Sequence, residues 1–393
     1  MLVGSAFHRY GASSDRIEAA LNEISKLLNI KADFFSLPTS ITASFHIDED
    51  REEAKMERLA PGRVNLSKLT QVHDIITLVL EEKCSIKEGT EKLKAVMSEK
   101  PLFKGIYSAL SYAVISGAVC ILFRGTLYDV FFSYLLGLFV GLVSETVKKE
   151  RLDSIKDAFL AFVVSVVSLV LLNLKLPVHP QIINISSLIV LIPGLMLTTS
   201  IRELASENLT SGTARLTGSF MILLKLSIGV YLGYLIFKNM GLQHLPNTEN
   251  LPEYGFWITF IAVILASFAL TISFQARLKD VWYIIAACLI SFYTTKVFSI
   301  YLGQVAGVFV AGTIVAALAN AFSKATRIPP LVFLLPAVTL LVPGSIGHKA
   351  LQYLIENDVF SGVNNLVSTF LVGSSLVSGV LFGTSIIKPK SFI

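Results

Sequence analysis

Two Pro-Gly pairs, Pro193-Gly194 in LIVLIPGLML and Pro343-Gly344 in VTLLVPGSIG, stand inside two of the most apolar stretches of the chain. Proline removes a backbone donor and frees the carbonyl its ring displaces, while glycine lets a ligand or a neighbouring helix approach closely. Interrupted apolar helices of this kind offer bare amides and carbonyls to a small polar solute deep in a bilayer. Hydroxyls follow each pair, Thr198 and Thr199 after the first and Ser345 after the second. Lys225 lies near the middle of a third apolar stretch and Lys296 near the end of a fourth. A charge at such depth faces a cavity or a partner, although Lys296 can also snorkel to the interface. These residues bind rather than react. Backbone amides or Lys225 suit a carboxylate, freed carbonyls beside Pro193 and Pro343 suit an ammonium, and the three hydroxyls suit a hydroxyl. A single Pro-Gly kink is common in membrane helices without any ligand; two at equal register carry more weight.

A second set of charged residues lies at span ends. The stretch SIRELASENLTSGTAR places Arg202, Glu203 and Arg215 just beyond the first pair, and Glu145 closes an earlier span. This stretch reads as an interfacial turn with internal ion pairs, as a gate on the cytosolic side, or as both. With Lys296, these four residues are the candidates for gating or coupling. No phosphate-cradling GxxxxGK[ST] loop is present and no histidines have zinc-ligand spacing, so no catalytic residue, metal or cofactor is assigned and the driving energy is expected from an ion gradient. His8, His46, His73, Ser36 and Cys84 supply possible nucleophiles and bases near the start of the chain, but no local motif organises them. Regulation or assembly is the better reading of that region.

The elements that position these residues follow from composition. Of 393 residues, 53% are hydrophobic and 16% charged, which is too apolar for a soluble domain of this length. Residues 1–105 hold 15 Lys/Arg and 16 Asp/Glu, against 18 and 12 in the other 288. A small α/β domain over 1–105 is therefore expected ahead of a membrane region. Amphipathic periodicity predicts helices over 12–29, 65–82 and 85–98, and DFFSLPTSITASFHI predicts two short strands divided at Pro38. The charged run DEDREEAKMER predicts a solvated linker or hairpin loop. Ten apolar segments after residue 105 are long enough to span a bilayer. Twelve Lys/Arg in their loops and tail on one side against four on the other place both termini in the cytosol. Nothing in the N-terminus resembles a signal peptide, and the charge balance gives no reason to invoke nucleic acid.

Sliding the chain on itself by 150 residues superposes Pro193 on Pro343, Gly194 on Gly344, Ser211 on Ser361, Phe220 on Phe370, Gly229 on Gly379 and Gly233 on Gly383. The membrane region, 106–240 and 253–393, therefore reads as two five-span repeats. An odd number of spans inserts the second repeat upside down relative to the first. The paired Gly229xxxGly233 and Gly379xxxGly383, with Gly137xxxGly141 and Gly303xxxGly307, read as close helix packing. Cys84, Cys120 and Cys288 read as packing residues.

The stretches GASSDRIE, LPTSI, LIPGLMLTTSIREL, SGTARL and LLPAVTLLVPGS together resemble the threonine/serine exporter family, over nearly the whole chain. The resemblance implies a single-chain multi-pass protein of the inner membrane with a cytosolic N-terminal domain and ten spans. It implies export of threonine and serine driven by protons. Where the family pattern leads to Asp after the Arg of the first-half motif, this sequence has Glu203. Split relatives point to succinate, so a small dicarboxylate stays open, as do a passive channel and self-association of the chain.

Overall fold

The computed structural model describes residues 1–48, 51–147, 150–239, 251–341, 344–355 and 358–388. Its N-terminal part begins with α1 (Leu2–Arg9) and α2 (Ser14–Leu27), which bury Ala6, Phe7, Ile17, Ala20 and Leu21. Helix α1 had no counterpart in the sequence reading. Next come β1 (Ala32–Leu37), β2 (Ser40–Asp48) and β3 (Arg51–Arg58), an antiparallel sheet in the order β1-β2-β3, with Leu37 opposite Ser40 and Ser40 opposite Arg58. Of the expected linker or loop over DEDREEAKMER, Arg51–Arg58 is thus corrected to a third strand, while residues 49 and 50 lie outside the described residues. All eight residues of β3 are exposed, so neither burial nor alternation marks it. Backbone pairing to β2 holds it, helped by Glu57, which accepts from Ser5 Oγ at 2.6 Å. Helices α3 (Leu66–Leu80) and α4 (Ile86–Ser98) complete this part. Asn65 caps α3 by accepting from the Lys68 N–H, and Ser85 caps α4 by accepting from the Glu88 N–H.

His73 of α3 is buried, and burial pushes its imidazole down to about 4. The unfolded chain then takes up its proton first as pH falls below the ordinary value of 6.5, so stability is lost between there and about 4 and is level above. The loss is on the order of 3 kcal/mol. Thermal melting of the full chain against pH should show that acid limb, and His73→Leu should flatten it; an unchanged limb would assign the acid sensitivity elsewhere.

Twelve helices follow. The first six are α5 (Ile106–Leu122), α6 (Leu127–Thr146), α7 (Glu150–Asn173), α8 (Pro180–Leu188), α9 (Gly194–Ala205) and α10 (Leu209–Asn239). The second six are α11 (Phe256–Ser273), α12 (Val281–Leu302), α13 (Gln304–Thr326), α14 (Leu331–Thr339), α15 (Gly344–Ile355) and α16 (Val359–Ile386). Their bounds repeat at close to 150 residues, and so do their partners. Helix α5 packs on α6 as α11 does on α12, α7 on α10 as α13 on α16, α6 on α8 as α12 on α14, and α9 on α10 as α15 on α16. Between the sets, α5 meets α11, and α9 meets α16 as α15 meets α10.

Among the described residues, eight helical stretches are long and apolar enough to cross a membrane. Helix α5, at 17 residues, is shorter, and the predicted fourth span is divided into α8 and α9. Trp257, Trp282 and Tyr301 are exposed near helix ends, where amphipathic rings sit in a bilayer. Gly229 and Gly233 bring α10 onto the backbone and Ser165 of α7, and Gly379 and Gly383 bring α16 onto Phe309 and Thr313 of α13. Gly303 packs against nothing; it forms the α12–α13 turn with φ +84°. The three cysteines are buried and free.

Candidate functional site

The first Pro-Gly pair interrupts a helix in a specific way. Helix α8 ends at Leu188, Ile192 N–H still donates to Leu188 O at 3.2 Å, and the Gly194 N–H folds back to Ile192 O at 2.8 Å. Pro193, with no donor of its own, is the residue before α9 and accepts from the Leu197 N–H at 3.0 Å. In the second set, α14 ends at Thr339 and α15 begins at Gly344; Pro343 lies outside the described residues.

The two interruptions meet. A Cβ placed on Gly344 would lie 2.7 Å from Ile192 Cγ2 and 3.2 Å from Gly194 Cα. A cavity of about 340 Å³ opens beside them, lined by Ile189, Ile192 and Gly194 of the first break, by Thr339, Gly344 and Ser345 of the second, and by α5 and α11. This is at the lower end of the roughly 300–1,000 Å³ typical of small-molecule sites. Two helix N-termini, those of α9 and α15, converge there, and each carries partial positive charge. The polar groups around the cavity are Tyr112, Ser273, Thr339 and Ser345, and Arg63 reaches it from the N-terminal part.

Other expected residues stand elsewhere. Thr198 Oγ1 donates to Gly194 O at 3.2 Å and Thr199 Oγ1 to Leu195 O at 2.8 Å, so both hydroxyls are used within α9. Lys225 is half-buried on α10 and Lys296 exposed on α12, and neither lines the cavity. Sequence reasoning missed Arg63 and Tyr112. It also missed His348, fully buried on α15 with Nδ1 3.2 Å from Ser227 Oγ and no partner at Nε2 among the described residues. Its position one helical turn beyond Gly344 was the available signal.

The stretch after the first break forms a dock rather than a set of internal pairs alone. Arg202 Nη2 pairs with Asp15 Oδ2 at 2.7 Å, and Glu203, fully buried, accepts from the Ser14 N–H at 2.9 Å and pairs with Arg215 Nε at 3.0 Å. Ser14 Oγ lies 2.6 Å from Ser211 Oγ. Burial alone would raise Asp15, but the Arg202 guanidinium and a bond from Ser13 hold its carboxyl below the usual range. The residues of GASSDRIE thus seat on those of SIREL and SGTAR. Glu145, in contrast, borders a second cavity of about 640 Å³ beneath the N-terminal part, whose wall mixes Arg9, Arg58 and Lys104 with Glu57 and Glu99. Arg63, Val64, Tyr112 and Ser273 line both cavities, so the two adjoin across these residues.

A family profile described as "Putative threonine/serine exporter" matches residues 1–237 and 239–387. The chain is similar to proteins named "Pheromone-regulated membrane protein 10": 26% identical to that of Eremothecium gossypii, over 95% of this chain and 52% of the relative. The corresponding figures are 24%, 99% and 40% for Debaryomyces hansenii, and 27%, 87% and 32% for Candida albicans. The chain spans about half or less of the length of these relatives. No solved structure matches. Helices of membrane-crossing length and this near-complete match agree: the chain is a multi-pass membrane protein that belongs to the threonine/serine exporter family.

Proposed function

We propose that the chain is a secondary transporter that exports small hydroxy amino acids, threonine and serine, across the inner membrane against their gradient, using protons. The observation that carries this reading is the meeting of Gly194 and Gly344, from two breaks 150 residues apart, on one small cavity that adjoins a larger one on the N-terminal side. Ten crossings, counting α8 with α9 and α14 with α15 as one each, give two five-crossing repeats of opposite sense. The recurring helix partners support that arrangement. Residues 1–105 then form a cytosolic domain beneath repeats at 106–240 and 253–393, with both termini inside, in keeping with the Lys/Arg distribution.

A zwitterion fits the cavity wall. Helix N-termini and Arg63 attract a carboxylate, the bent backbone near Pro193 supplies carbonyls for an ammonium, and Ser345 supplies a hydroxyl partner. Lys225 and Lys296, the two cations a dicarboxylate would have used, line neither cavity, which favours the amino acid. Counterflow in proteoliposomes with labelled threonine, serine and succinate tests the substrate. Threonine and serine should exchange; movement of succinate alone would overturn the substrate reading, and flux that ignores a collapsed proton gradient would point to a channel.

His348 is the buried titratable group on the second broken helix, and we assign it the proton. His348→Gln should keep threonine counterflow within about twofold yet lose most of the uphill export driven by a proton gradient, since exchange needs no net proton movement. Uphill export at the wild-type rate would remove His348 from the coupling scheme.

A further inference from the structure

We infer that Arg63, a residue of the N-terminal domain, is the group that takes the substrate's carboxylate where the lower cavity meets the upper one. The inference rests on the exporter reading above and names the recognised chemistry: a carboxylate-bearing solute.

Charge supplies the first reason. Among the described residues Arg63 is the one charged residue in the wall of the upper cavity, and it lines the lower cavity as well. Among the described residues no carboxylate pairs with its guanidinium, whereas Arg202, Arg215 and Arg277 each have one. A guanidinium offers a planar fork of donors that matches a carboxylate in two parallel bonds. The N-termini of α9 and α15 point to the same space, so three sources of positive potential converge in the upper cavity, whose described wall holds no carboxylate; Glu57, Glu99 and Glu145 stand in the lower wall.

Rigid mounting supplies the second. The loop between β3 and α3 is held at several points. Arg63 N–H donates to Arg9 O at 3.2 Å, and Asn65 N–H donates to Tyr10 O at 3.2 Å. Leu66 and Ser67 N–H then donate to Phe274 O and Gln275 O, at 2.9 and 3.1 Å, just beyond the end of α11. Gly62 sits where any Cβ would collide with the His8 carbonyl, and Gly11, at φ +90°, would place a Cβ 2.9 Å from Val64 Cα. Such a clamp fixes the backbone from which the exposed side chain reaches, which limits the space the guanidinium can search. The N-terminal domain is therefore part of the transport path, and its Pro61-Gly62-Arg63 segment takes the role for which backbone amides or Lys225 were the candidates.

The test is counterflow of labelled threonine, serine and succinate by the full chain in proteoliposomes, for wild type, Arg63→Gln, Arg63→Lys and a control, Lys94→Gln, on the exposed face of α4. Arg63→Gln should raise KM for the transported solute by about tenfold or more with little change in maximal rate. Arg63→Lys should fall between, and the control should match wild type. Unlabelled threonine should compete with wild-type flux far better than threonine amide does, and Arg63→Gln should narrow that gap. In unmodified protein, threonine should slow phenylglyoxal labelling of Arg63 read by mass spectrometry, which keeps the test open should Arg63→Gln fold poorly. An unchanged KM in Arg63→Gln, or labelling indifferent to threonine, overturns the assignment while wild-type flux leaves the exporter reading standing. Wild type moving none of the three solutes overturns both. Succinate moving alone, with Arg63→Gln impaired, overturns the amino-acid reading and keeps the carboxylate assignment.

Discussion

Gly344→Val is expected to lower threonine exchange by about a hundredfold or more while the protein still inserts and melts within a few degrees of wild type. The reason is the closeness of the two broken segments, where a Cβ on Gly344 already presses on Ile192 and on the Gly194 backbone at 2.7 and 3.2 Å. Ile192 Cγ2 is a side-chain end and can yield a few tenths of an ångström, so Gly344→Ala should cost less than Val. The Gly194 backbone has nowhere comparable to go, and two extra methyl groups would separate the breaks or fill part of a 340 Å³ cavity. A displacement near 1 Å at a binding site can cost about a hundredfold in rate. Gly229→Ala makes the informative comparison, because that glycine meets Ala158 and Ala161 of α7 away from the cavity. It should lower stability first and exchange only in proportion. Equal exchange in Gly344→Val and wild type would show that the meeting point is only packing.

The parts of this arrangement that sequence made legible are those with a strong period or a strong exclusion. Helices α2, α3 and α4 follow amphipathic patterns, and a proline beside a glycine in an apolar run has few innocent structural outcomes. The 150-residue register was visible because Pro and Gly have distinctive backbone needs. Strand β3 was hidden because each of its residues is exposed and most are charged, so only its neighbour β2 makes it a strand. Arg63 was hidden for a different reason. Its role depends on which loop lies under the membrane domain, and contacts such as Leu66 to Phe274 span more than 200 residues of sequence. Likewise Arg202 and Glu203 were read with Arg215 as internal ion pairs, and nothing local indicated Asp15 and Ser14, nearly 190 residues earlier.

That distant pairing makes Glu203→Ala the second large expected effect. Glu203 is fully buried, and its carboxylate serves the Ser14 N–H and the Arg215 guanidinium together. Removing one member of such a buried pair leaves the other charge without compensation and costs about 3–5 kcal/mol. The full chain should melt several degrees lower, and limited proteolysis in 99–105 should release the N-terminal domain faster. Glu203→Gln, which can still accept from Ser14 but carries no charge, should fall between. Arg215→Ala added to Glu203→Ala should recover part of the loss, because the stranded guanidinium goes with it. An unchanged melt and cleavage rate for Glu203→Ala would mean that this dock does not hold the domain. The consequence reaches the cavity through geometry: nine residue steps of α9 lead from Gly194 to Glu203, about 14 Å of helix. A helix that short and that apolar moves as a rod, so holding Arg202 and Glu203 at one end restrains the broken end at the other. If access alternates by rocking of the broken helices, the N-terminal domain must either travel with α9 or release Asp15 and Ser14 in each cycle. Cross-linking Ser14→Cys to Ser211→Cys, whose parent hydroxyls lie 2.6 Å apart, distinguishes these: travel together leaves threonine exchange intact, and release makes the cross-link stop it until reductant is added.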